Sequence, residues 1–182
     1  MAKRTQTAAA VAAMLLAGQT AHAAESSMAA GVAGNLGHVR SDSSVIASAI
    51  QDAAARSATF RALVAAIDAS DSYVFVNNGH CSHGVRACFV NVTFSGVTRY
   101  MFVVVDTHST DLDLMRSIAH ELRHTIEVIG EPNIRSYAAK FFFYEKTARR
   151  DGSGAHETRA AVDAGENVRA EVLRFNRQTQ AK

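Results

Sequence analysis

Two histidines four residues apart, with a glutamate beside the first, are the residues of this sequence best suited to chemistry: His120-Glu121-Leu122-Arg123-His124. On a helix, positions i and i+4 lie on one face a turn apart, so two imidazoles there can share one metal ion. A glutamate next to the first imidazole borders that face and can take a proton from a water held by the ion. The pattern needs a helix, and residues 111–129 predict one. Thr110 with Asp113 resembles a capping box with a shortened acid, and Gly130 and Pro132 stop the run. At about 100° per residue, His124 falls about 40° from His120, on a front shared with Asp113, Arg116, Ser117 and Glu127. Leu114, Met115, Ile118, Leu122, Ile126 and Ile129 make the apolar back.

A catalytic zinc needs a third protein ligand and a position left for water. Glu127, Glu131, His156 and Glu157 are the candidates. Glu127 is on the right face but rises about 10 Å beyond His120, and three donors from one straight helix crowd one side of an ion. Donors to a developing oxyanion would come from His156, Tyr137 or Tyr144.

Other elements must position these groups. A helical pattern starts at Ser43 or Ser44 and runs to residue 69, with Thr59 as a point where it can divide in two. Residues 73–76, 88–94 and 100–105 are β-branched and aromatic, and Ser95-Gly96-Val97-Thr98 reads as a hairpin turn. The last of these strands is a candidate free edge for an extended peptide. Beyond residue 129, helices are expected over 134–149 and from His156 or Glu157 to 174. The order is helix, roughly three-stranded sheet, the HExxH helix and two further helices, an α+β domain.

The chain has 182 residues, 48 % hydrophobic and 20 % charged, which fits one globular domain and argues against disorder. Lys3 and Arg4, the apolar run 8–17 and Ala21-His22-Ala23 form a secretory signal peptide cut after Ala23. Its apolar run is too short for a membrane anchor, so no stable membrane insertion is expected once it is removed. Without Lys3 and Arg4, the 19 basic residues fall to 17 and match the 17 acidic ones. No basic stripe suggests nucleic acid. Export to the periplasm or medium of a bacterium makes a Cys81–Cys88 disulfide the default, the alternative being a metal site of these cysteines with His80 and His83.

The HExxH stretch resembles the zincin class of metallopeptidases, in which a small sheet precedes the motif helix. The chain also resembles a group of exported bacterial proteins with an AHELRH-type motif followed by Glu-Val, and a late Glu-Thr before an Ala-rich helix. Here those pieces are Ala119 to His124, Glu127-Val128 and Glu157-Thr158. The metzincin extension is missing, because Thr125 to Gly130 holds no histidine. The gluzincin branch takes its third ligand, a glutamate, from a later helix. That likeness implies Glu157, with Ala160, Ala161 and Ala164 permitting close helix packing. It also implies an Asp four residues on, where this chain has Ala161 and its nearest acid is Asp163.

The resulting expectation is a signal peptide (1–23), a flexible mature N-terminus (24–42), a zincin-like domain (43–176) and a short tail (177–182). Its function would be that of a zinc-dependent hydrolase, most naturally a peptidase acting on a peptide or protein. His120, His124 and Glu157 would hold Zn2+, and Glu121 would activate the zinc-bound water. The alternative is an exported binding module of the same shape without turnover. Oligomeric state is open.

Overall fold

A computed structural model describes residues 36–150 and 155–181. The segment read as a signal peptide and most of the stretch read as a flexible N-terminus lie outside the described residues. In chain order these are β1 (Val39–Arg40), α1 (Ser44–Arg56), α2 (Ala58–Asp68), β2 (Ser72–Asn78), a 3-10 turn (Ser82–Gly84), β3 (Ala87–Ser95) and β4 (Thr98–Val105). Then come α3 (Asp111–Ile129), α4 (Tyr137–Thr147), β5 (Arg149–Arg150), β6 (His156–Glu157) and α5 (Arg159–Gln180). The protein is α+β.

The main sheet has the order β1-β2-β4-β3, with β1, β2 and β4 parallel and β3 antiparallel to β4. Two expectations are corrected here. The sheet gains a fourth strand, because Val39, fully buried, pairs with Val74 within the stretch read as flexible. And β4, expected as a free edge, is internal; β3 is the edge. Strand order is set by which apolar faces meet, which local pattern does not report.

Alternation along β2 and β4 sends Val74, Val76, Met101, Val103 and Val105 into a core shared with the helices. On β3, Phe89 and Val92 both point inward although they stand an odd three positions apart. A bulge explains it: Phe89 faces Val103 and Asn91 faces Phe102, leaving Val90 as the extra residue. The hairpin to β4 turns at Gly96, whose φ of 61° is the left-handed region.

The first helical pattern divides at Ser57, two residues before the expected point. The Ser57 hydroxyl accepts from Phe60 N (3.0 Å) and donates to Glu171 Oε2 on α5 (2.6 Å). Thr59 N and Thr59 Oγ1 also donate to the Glu171 carboxylate, at 3.0 and 2.8 Å. Burial pushes the Glu171 carboxyl up, but hydrogen bonds from Ser57 and Thr59 outweigh it, and its pKa lies below 4.5. A lowered folded-state pKa gives stability that is present above the unfolded value and lost as pH falls through the folded one. Glu171→Gln is therefore expected to lower unfolding stability by about 1 kcal/mol at neutral pH, with the partial solvation of the carboxylate already discounted. In urea titrations the gap to wild type should close as the pH falls through and below the ordinary glutamate range. A gap that widens in acid would contradict this role.

The motif helix α3 has the bounds expected for it, and Asp113 N donates to the Thr110 hydroxyl (3.2 Å). Its last turn is held by buried Arg99, which donates to the carbonyls of Val128 (3.0 Å) and Ile129 (3.1 Å). α5 lies along α3. Gly165 lies in the contact, where a Cβ would come within 3.1 Å of Arg116 O and 3.5 Å of His120 Cβ. α4 starts at Tyr137 rather than residue 134, because Ser136 is its cap and accepts from Ala139 N.

Candidate metal centre

Both motif histidines project from α3 toward one point, their ring centroids 4.9 Å apart. The third donor comes from elsewhere. Arg149 pairs with Glu157 and Arg150 with His156 in the short β5–β6 ladder, which sets Glu157 opposite the histidines. Glu157 thus lies on β6, two residues before α5, and does not open that helix as expected. Thr158 is the helix cap, accepting from Ala161 N at 3.2 Å. The cause is a short strand pairing, which helical periodicity does not register.

One ligand atom each from His120, His124 and Glu157 lies within 4.8 Å of the others. His120 Nε2 is 3.1 Å from Glu157 Oε2. That oxygen is buried and makes no hydrogen bond. Donors around a tetrahedral ion at about 2.0–2.2 Å stand about 3.3–3.6 Å from one another. A buried carboxylate oxygen without a hydrogen bond, at nearly this spacing from His120 and grouped with His124, fits a metal ion.

The remaining residues orient the donors. His124 Nδ1 lies 3.0 Å from Glu127 Oε2, which leaves Nε2 for an ion. The Thr158 hydroxyl donates to the other Glu127 oxygen at 2.7 Å, so one residue caps α5 and fixes the partner of His124. Glu127, weighed as a third ligand, is engaged on His124 instead. Burial pushes its carboxyl up, yet the hydrogen bonds from His124 and Thr158 hold it below its usual value and keep it ionised. The Tyr144 hydroxyl donates to His124 O (2.8 Å) and its ring meets the His124 ring edge-on at 5.2 Å. Burial and the nearby Glu127 push its pKa up, so the phenol stays protonated.

Glu121 is 5 % exposed. Burial raises its carboxyl above the usual range, although His124 and His120 pull it down. A carboxylate made more basic in this way is suited to accept a proton. For His120, burial acts downward, but Glu157 and Glu121 outweigh it and its pKa is raised.

Glu121, His124 and Glu157 border a cavity of about 470 Å³. Its far wall is the β3 edge at Cys88, Phe89 and Val90, and α4 adds Tyr137, Lys140, Phe141 and Tyr144. Of the oxyanion donors considered, His156 and Tyr137 also line it. His156 Nε2 is bound to Glu145 at 2.6 Å. Glu131 is neither part of the donor group nor of the cavity lining.

Cys81 and Cys88 form a disulfide, which ties the loop before β3 to the cavity wall and removes both sulfurs as metal ligands. Protein made under oxidising conditions is expected to show no thiol in a denaturing titration. Replacing both cysteines with serine should cost about 2–3 kcal/mol in urea unfolding, the entropy of a short closed loop. Two titratable thiols in the oxidised protein would refute the pairing.

Sequence reasoning missed Lys140, and left the partner of a metal-binding histidine unassigned. Lys140 had a signal: it stands three residues after Tyr137 and four before Tyr144, at the centre of an aromatic helix face. Glu127 had one too, at i+3 from His124. Comparison of the chain with protein-family models, with curated proteins and with solved structures finds no match.

Proposed function

We propose that this protein is an exported zinc-dependent peptidase of the gluzincin-like kind that its HExxH stretch resembles. The observation that carries the reading is the convergence of His120, His124 and Glu157 beside buried Glu121 at the wall of a cavity. Two imidazoles and one carboxylate, with room for a fourth ligand, suit zinc in a hydrolytic role. When bound, zinc polarises a carbonyl and acidifies a water.

The chain supplies the rest. Glu121 takes a proton from the attacking water and returns it to the leaving amine. Glu127, held by Thr158, keeps His124 in one tautomer and orientation. The β3 edge, away from the Phe89 carbonyl that Lys140 occupies, is where an extended peptide would add as a strand. The disulfide accords with export.

Incubation of the zinc-loaded protein with a complex peptide mixture, read by mass spectrometry, is expected to generate new termini that a chelator suppresses. A mixture left intact while zinc stays bound would overturn the peptidase reading in favour of a binding module.

A further inference from the structure

One charged group in the cavity wall has no part in that chemistry. Lys140 reaches from α4 to the bulge in β3, and the residue is 6 % exposed. Its Nζ donates to Phe89 O and lies over two rings, 4.4 Å from the Phe89 centroid and 5.2 Å from that of Tyr137. An ammonium has three donors. Among the described residues it finds one carbonyl and two ring faces, and no carboxylate forms an ion pair with it. Burial lowers its pKa to about 8, with Glu121 acting the other way. A buried cation without an ion-paired carboxylate is costly, even with Glu121 lining the same cavity, and a binding site is where such a cost persists.

The charges around the cavity give the sign of what is missing. The Glu127–Arg123 and Glu145–Arg150 pairs cancel. Glu121 and Glu157 together balance a divalent ion. Lys140 is left as the surplus positive charge, in a chamber with room for more than the reacting group itself.

We propose that Lys140 binds a carboxylate of the substrate, so that the enzyme favours peptides with a negative charge near the bond cleaved. This rests on the zinc-peptidase reading and narrows its substrate class. The carboxylate is either a free chain end or an Asp or Glu side chain. Lys140 is then a specificity-determining residue, its ammonium shared between Phe89 O and the ligand.

The test is calorimetric binding of two hydroxamates to the zinc-loaded protein, one bearing a carboxylate on a short arm and one the matching carboxamide. Wild type is expected to prefer the carboxylate about tenfold or more, as a charge-assisted hydrogen bond implies. Lys140→Met should abolish that preference, by weakening the carboxylate compound far more than the carboxamide. Peptide hydroxamates ending in acid or amide, and carrying Glu or Gln, then separate a chain end from a side chain. Equal affinity of the first two compounds for wild type overturns the proposal even if Lys140→Met does not fold. A preference that survives in Lys140→Met overturns it as well. Binding of neither hydroxamate overturns the zinc reading and this proposal together, whereas equal binding sinks the role of Lys140 alone.

Discussion

Glu157→Ala is expected to lower zinc affinity more than 100-fold, while Glu127→Ala lowers it about 10- to 100-fold. The two carboxylates do different work. Glu157 offers a buried oxygen with no hydrogen bond, 3.1 Å from His120 Nε2. Removing it leaves two imidazoles from one helix, an incomplete site for zinc. Glu127 touches Nδ1 of His124 and the Thr158 hydroxyl. Without it the imidazole loses its orienting partner but keeps its ring nitrogen. Competition with a chromogenic chelator ranks the two variants. A larger loss in Glu127→Ala would transfer the ligand role to Glu127. The affinity of Thr158→Val should fall with that of Glu127→Ala, since the hydroxyl acts through that carboxylate.

The second large effect separates catalysis from binding. Glu121→Gln is expected to keep its zinc and to lose activity about 100- to 10,000-fold on any peptide the wild type cleaves. The amide fills the same buried space but accepts no proton at the attacking water. Folding should be little affected, because burial already disfavours the charged form of Glu121. Undiminished turnover in Glu121→Gln would remove it from the mechanism, and loss of zinc would make it a structural partner of the site. Wild type and variant equally inactive with zinc retained would describe a binding module.

Much of the site could be read in advance because its central element is local. The bounds of α3 follow from Thr110 at one end and Gly130 at the other, and i, i+4 spacing brings His120 and His124 together whatever surrounds them. Glu157 as third donor came from a family likeness, and the structure sets it by a route that likeness did not contain. Its position depends on Arg149 and Arg150 pairing with β6. The close approach of α5 depends on Gly165 as well as on buried alanines at 161 and 164. Strand order escaped for the same reason. The residues of β4 have the pattern of a half-buried strand, and nothing local says that both of its edges are taken. Lys140 escaped because a lysine on a helix is ordinarily solvated, and its burial arises only when α4 meets the β3 bulge.

The central claim is that one ion is held by three named side chains. Crystals of zinc-loaded protein, measured on both sides of the zinc absorption edge, test it without reference to substrate or turnover. One strong anomalous peak is expected at about 2.0–2.2 Å from a ring nitrogen of His120, Nε2 of His124 and a carboxylate oxygen of Glu157, with Glu121 free of the ion. A peak coordinated by Glu127 in place of Glu157, or no peak at His120 and His124, would contradict it.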